Sequence, residues 1–370
     1  MSCTTKRGSR DDLDRAQEAF AAGSPVLVGD AGDPVVFIAA DARTIGADGL
    51  ERIHALSGGM TALGITDARA EQLALTPLTR PGGPVAGVRA GLALTAPVDA
   101  AHGIRGGWSL RDRAHTMRIA ADPQSGHEHL SVPGHVHAAP IGARANAAAE
   151  ASLELARAIH AEPAVALGPL TATDGGAVSL ERALSVAALA QLPRASSAEV
   201  RALALLRRTG GRVVECALPT RDGAFRAVAL DAPGRASGGA GAPGQLGGED
   251  LGEAGTVMAL IHGDPATAAR PLVHVHAACL LGDAFGSLAC DCAAELAAAT
   301  DDILAAGAGV IVYVKPGTAD PQRRYHCGSE APVDLAPVLA VLSACGVDAS
   351  RSELTPATRW VSAAAFRHRS

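Results

Sequence analysis

The chain has 370 residues, more than one ordinary core needs, so about two domains are expected. Hydrophobic residues make up 48% and charged ones 19%, which excludes a disordered chain, and only 2% aromatics leave Ala, Val and Leu to build the cores. A net charge of −6 excludes a general nucleic-acid or anionic-membrane binder while leaving room for a local anion site. No run reaches the ~18 apolar residues of a transmembrane helix. The N-terminal MSCTTKRGSRDDLDRAQ lacks the apolar stretch of a signal peptide, and seven cysteines, an odd number, point to the reducing cytoplasm.

Residues Met1–Ser9 read as a loose tail and Asp12–Ala22 as a helix with Asp in its first turn, which suits the helix dipole. Pro25–Gly29 and Val35–Ala39 are two short buried strands around the turn GDAGDP. A helix over Ala47–Leu56 follows, then strands at Met60–Thr66 and Leu92–Val98. A helix over Leu153–His160 leads into a strand at Val165–Leu167. This alternation predicts an α/β (α+β) domain over residues 10–205. Ser197–Arg208 ends it as a helix with a serine cap, and Gly210–Gly211 breaks that helix.

A second domain is expected over residues 209–350, opening with strands Val213–Leu218 and Phe225–Leu230 joined by a turn at Thr220–Gly223. Gly234–Gly255 has too few large apolar residues to pack and reads as a flexible glycine-rich insertion. It lacks the K-[ST] ending of a phosphate loop. Val257–His262 is a strand. The alternating Val273–His276 is another, followed by a helix at Ala293–Ala306 and a buried strand at Val310–Val314.

Cys279, Cys290 and Cys292 fall on the turn between that strand and helix, spaced C-x10-C-x-C. Three thiolates this close suit a soft metal such as Zn²⁺, and three protein ligands leave a fourth tetrahedral position open. Three buried, reduced cysteines are the alternative.

MALIHGDPA (258–266) followed by VHVHAACLLGDAFGSLACDC (273–292) resembles GTP cyclohydrolase II. ALTAPVDA (93–100), SLRDRAHT (109–116), VPGHV (132–136) and LTATDG (170–175) resemble 3,4-dihydroxy-2-butanone 4-phosphate synthase. The two in this order resemble the fused riboflavin-biosynthesis proteins. The resemblance implies a synthase-like first domain that acts on ribulose 5-phosphate and a shortened cyclohydrolase-like zinc domain that opens GTP with release of formate and pyrophosphate. It also implies a purine nucleotide of the GTP kind as ligand and a homodimer. Carried over, Cys279, Cys290 and Cys292 hold the zinc, and Asp283 and Asp291 lie beside them either as supports or as surface groups.

Departures from the family are as informative as the matches. The arginine and glutamate that the family carries before Cys279 are His274 and Ala278 here. The glycine-rich stretch after Val314 is replaced by KPGTADPQRRYHCGSEAPVDLAP, and the Asp-x-Arg-Asp pattern falls on Ala331, Val333 and Asp334. That pattern supplies the family's proton acceptor and arginine nucleophile, and Arg323, Arg324 and Tyr325 read as solvated loop residues or as replacements for those two groups. In the first half the family's acidic loop becomes GDAGDPVVF with Asp30 and Asp33, its motif histidine becomes Ala148 beside Glu150, and a glutamate becomes Pro169. Asp112 and Arg113 survive in the phosphate-contacting segment, and so does His135. A histidine lacking a carboxylate partner supports Mg²⁺ poorly, so His135 reads as structural. His127, His129 and His137 are either a metal cluster or polar loop residues. Catalytic residues stay unassigned, and weak, altered or no activity on GTP is expected. A working cyclohydrolase and a non-catalytic zinc paralogue are the alternatives.

Overall fold

The computed structural model describes residues 8–30, 33–76, 78, 92–142, 146–172, 176, 178–210, 213–230, 256–315, 333–359, 361 and 366. Two compact units divide the chain, Met1–Arg201 and Ala202–Ser370. The expected insertion 234–255, the loop residues Arg323, Arg324 and Tyr325, and Ala331 lie outside the described residues.

The first unit holds α1 (Gly8–Ala21), β1 (Val26–Val28), β2 (Phe37–Asp41), α2 (Ala47–Leu56), β3 (Ala62–Ile65), α3 (Asp67–Gln72), β4 (Val98–Ala100), α4 (Leu110–Ala121), β5 (Leu130–Pro140), α5 (Ala147–Arg157), β6 (Ala164–Pro169), α6 (Leu180–Leu189) and β7 (Arg194–Ala195). Helix α7 (Ser197–Thr209) runs across the division. The described strands form one mixed sheet, β4-β5-β3-β6-β2-β1-β7. Every residue of β2 and β6 is buried, as in a sheet covered on both faces. Ile38 and Ala40 pack in one cluster with Leu50 and Ile53 of α2, Met117 of α4 and Ala183 of α6, while α5 packs against β1, β2 and β6. Short side chains let the layers approach closely, as a chain poor in aromatics requires.

The second unit contains β8 (Val213–Pro219), β9 (Ala224–Leu230), β10 (Thr256–His262), β11 (Leu272–Ala277), α8 (Cys292–Ala306), β12 (Gly309–Lys315), α9 (Leu335–Ala344) and β13 (Glu353–Leu354). Its sheet order is β13-β11-β12-β10-β9-β8, with β11 parallel to both β12 and β13. Val338, Val341 and Leu342 of α9 pack on Val257, Val273, Val275 and Val312. Ile303 of α8 packs with Ile311 and Phe225 in a separate cluster. Gly307, at φ 74°, ends α8 in the left-handed conformation that glycine adopts without steric cost.

Several expectations shift. Gly8 and Ser9, expected in the tail, already belong to α1. The strand expected at Leu92–Val98 begins only at Val98, because Pro97 has no N–H to donate, and Ala96 N–H instead bonds Thr76 O (2.8 Å). The serine that caps α7 is Ser196, whose Oγ accepts from Glu199 N–H (3.2 Å), and Ser197 turns its hydroxyl to Asp30 and Asp33 instead.

Candidate metal centre

Strand β11 delivers the chain to Cys279, which opens a one-turn wide helical segment, Leu280–Ala284. Cys290 follows in the turn, and Cys292 is the first residue of α8, where the helix dipole favours an anionic sulfur. The three Sγ atoms lie within 4.8 Å of one another, and Cys279 Sγ is 3.7 Å from Cys290 Sγ. Two thiolates on one tetrahedral zinc, each at about 2.3 Å, would stand about 3.8 Å apart. None of the three is in a disulfide; Cys279 and Cys292 are buried and Cys290 is half-buried. Gly282 closes the other side. A Cβ there would come 2.8 Å from Cys290 Sγ and 3.2 Å from Cys279 Sγ, and its N–H points at Cys279 Sγ (3.3 Å). The residues therefore fit a soft divalent metal. Among the described residues this is the one group of three or more His, Cys, Asp or Glu so arranged.

Behind the sulfurs runs a buried polar chain. Asp283 accepts from the Cys279 backbone N–H (2.9 Å), from the Tyr313 hydroxyl (2.6 Å) and from His276 Nε2 (3.0 Å). His276 Nδ1 is 3.4 Å from His274 Nε2, and His274 Nδ1 meets the hydroxyls of Thr355 (2.8 Å) and Thr358 (3.0 Å). Burial, and secondarily the donation to Asp283, push the Tyr313 hydroxyl well above the ordinary tyrosine range. Burial first and the His276 ring second push His274 down to about 4. Asp283 thus stands directly behind the thiols, whereas Asp291 is exposed and its side chain does not cap α8. Arg359 pairs with Glu295 on the first turn of α8. Alternation in V-H-V-H puts both histidines on one face of β11, but nothing in the sequence marks Thr355, Thr358 or Arg359 as their company.

The departures also find places. His274 is buried and turned toward the two threonines, so it does not stand in as a cation. Ala278 donates its N–H to Val314 O (2.8 Å). Val333 packs against the core under α9, and Asp334 caps that helix by accepting from Ala336 N–H (3.0 Å).

In the first unit, His135 has a carboxylate partner, contrary to the expectation from sequence: Nδ1 lies 2.7 Å from Asp99 Oδ2 across the β4–β5 pair. Trp108 sits against its ring, tilted by 50° with centroids 4.7 Å apart. Gly107, at φ 75°, makes room for the pair, since a Cβ there would fall 2.2 Å from Asp99 Oδ2. A cavity of about 700 Å³ beside them is lined by Arg105, Trp108, Arg111, Asp112, His115 and Arg118. Arg113 is not among its lining residues. Asp30 accepts from Ser196 Oγ (2.7 Å), Ser197 Oγ (3.0 Å), Ala198 N–H (2.9 Å) and Arg194 (3.1 Å). Asp33 accepts from Ser197 Oγ (2.6 Å), and Glu150 pairs with Arg201 (2.7 Å). Ala148 is buried within α5 and Pro169 ends β6. His127 and His129 flank Glu128, while His137 Nδ1 meets Thr95 O (2.9 Å), so these three histidines do not gather into a metal cluster. Among the described residues no helix is long and apolar enough to cross a membrane.

A family model of 3,4-dihydroxy-2-butanone 4-phosphate synthase matches residues 14–203, and one of GTP cyclohydrolase II matches residues 211–323. The riboflavin biosynthesis protein RibBA of Salinispora arenicola is 36% identical over 239 residues, which cover 61% of this chain and 51% of that protein. RibBA of Mycobacterium tuberculosis (strain ATCC 25618 / H37Rv) is 32% identical over 321 residues, covering 82% of this chain and 70% of that protein. The chain spans about half the length of the Salinispora relative. The solved structure of RibBX, a two domain 3,4-dihydroxy-2-butanone 4-phosphate synthase from A. baumannii, matches with a TM-score of 0.56 over 95% of this chain and 97% of that one. At 17% identity that likeness shows the fold. With both family models matched in order along the chain, it belongs to the family of riboflavin-biosynthesis proteins that join a 3,4-dihydroxy-2-butanone 4-phosphate synthase domain to a GTP cyclohydrolase II domain.

Proposed function

We propose that the second half is a zinc centre held by Cys279, Cys290 and Cys292, in a riboflavin-biosynthesis protein whose complete reactions on GTP and ribulose 5-phosphate are weak, altered or lost. The observation that carries the zinc reading is the convergence of three thiol sulfurs within 4.8 Å around Gly282. Zinc bound there would supply a Lewis acid that makes hydroxide available near neutral pH. A purine nucleotide of the GTP kind is the ligand that family membership favours, in a cytoplasmic homodimer.

The chain's own residues limit the chemistry beyond ring opening. Val333 has no nucleophilic group, Asp334 is engaged as a helix cap, and His274 is neutral and buried where the family carries a cation. In the first half the segment GDAGDPVVF has no glutamate where the resemblance implies a metal-binding one, and its Asp30 and Asp33 are engaged at α7, which argues against the family's Mg²⁺ site. The Asp99–His135 pair beside a cavity with three arginines favours a second reading for that half, retention of a phosphorylated ligand without turnover.

Metal analysis of the purified chain, paired with formate and pyrophosphate assays in one GTP incubation, tests this function. About one zinc per chain is expected, lost in Cys290→Ser, with formate appearing faster than pyrophosphate. A stable, metal-free wild-type chain would refute the zinc centre. Equal and rapid release of both products would establish a working cyclohydrolase, and neither product with zinc bound would establish a non-catalytic zinc protein.

A further inference from the structure

With both imidazoles neutral, the chain of polar groups behind the thiols admits one arrangement of ring protons. Asp283, as a carboxylate, only accepts, so His276 must present Nε2–H to it and keep Nδ1 bare. The bare Nδ1 needs a donor, and His274 Nε2 at 3.4 Å is the group that faces it. His274 must then carry its proton on Nε2 as well, leaving the single lone pair of Nδ1 to accept from the Thr355–Thr358 hydroxyl pair, whose oxygens lie 3.2 Å apart so that one can donate to the ring and the other to its neighbour. All the donors point the same way, from the two threonines through both imidazoles to Asp283, which grips the Cys279 backbone N–H. His274 and His276 are buried to 1% and 0% exposure, so water does not offer substitutes for these partners. Tyr313 stacks on His276 with centroids 5.4 Å apart and donates to the same carboxylate, fixing the ring from its face.

We propose that Thr355 and Thr358, acting through His274, are positioning residues for the thiol cluster: their hydroxyl pair supplies the donor that the Nε2–H tautomer of His274 requires and thereby holds His276, Asp283 and the backbone of Cys279 in place. This deepens the metal reading above and rests on it. Without the hydroxyls His274 has a buried acceptor with no donor, and its ring is released to turn or to take the other tautomer. Either change removes the proton that His276 Nδ1 accepts, and the disturbance reaches Asp283. Groups that orient a metal ligand from behind typically set affinity by about 10–100-fold.

The test uses the full chain and Co²⁺ as the probe metal. Cobalt affinity is measured by chelator competition, and the thiolate-to-cobalt and d–d absorption bands report ligand geometry. The Thr355→Val/Thr358→Val chain is expected to bind Co²⁺ about 10–100-fold more weakly with shifted d–d bands. Thr355→Ser/Thr358→Ser, which restores both hydroxyls, is expected to regain the wild-type affinity and spectrum, an outcome that loss of packing alone would not give. Wild type and the valine pair binding cobalt alike would overturn the proposal while leaving the metal reading intact. No cobalt uptake by wild type would overturn the metal reading and the proposal with it. If the valine pair does not fold, ¹⁵N spectra of the wild-type imidazoles decide: Nε2–H on both His274 and His276 supports the arrangement, and Nδ1–H on either overturns it.

Discussion

His274 shows how one side chain ties stability to pH. The unfolded imidazole takes up a proton near pH 6.5, whereas the folded one, desolvated and next to a second imidazole, does so only near 4. Stability from keeping this ring neutral is therefore complete above about pH 6.5 and is lost as pH falls from there toward 4, up to about 3 kcal/mol. Urea unfolding at pH 7 and pH 5 checks this. His274→Gln, which cannot titrate, is expected to lose less stability between the two values than wild type. Equal losses would show that the ring is not desolvated in solution.

At the scale of elements, the α7 N-terminus depends on a carboxylate from the β1–β2 connection. Asp30 takes the Ser196 hydroxyl, the Ala198 N–H and the Arg194 guanidinium, so Asp30→Ala strands several donors at once. A loss of about 2–3 kcal/mol is expected from urea unfolding, with the metal content of the second unit unchanged. The spans of elements are readable where a single pattern governs them. Ala47–Leu56 is amphipathic and ends where predicted, and the apolar runs of β10, β11 and β12 stand out because both faces of each are buried or nearly so. Strand β5 is hidden by Pro133 and Gly134 within it, and α9 by Pro337 and by an apolar surface all round that lacks helical periodicity. The cysteine triad is legible because its ligands are local in sequence. Asp99 beside His135, and Thr358 beside His274, are 36 and 84 residues apart, and only strand pairing brings them together.

Across the whole molecule, four acidic groups in family-matched and neighbouring segments hold structural partners: Asp30 and Asp33 at α7, Asp334 at α9, and Glu150 with Arg201. Abstraction of a proton next to a carbonyl requires a polarised carbonyl and a base, and losing a positioned acid–base group typically costs about 10²–10⁴-fold. The full chain is therefore expected to give no dihydroxybutanone phosphate from ribulose 5-phosphate, with binding of the sugar phosphate in the arginine-lined cavity persisting by calorimetry. Rescue of a synthase-deficient strain by this chain would overturn that expectation.

The short β11–β13 pairing, only Leu272 with Glu353 and Val273 with Leu354, has a consequence for where the thiol-bearing half stops being itself. The match to the cyclohydrolase family ends at residue 323, more than thirty residues before Thr355. A fragment trimmed to that match would inherit every cysteine of the triad and none of the scaffolding that α9, Thr355 and Thr358 lend them. Ligands and their support thus have different borders along the chain, and sequence kinship by itself marks only the first.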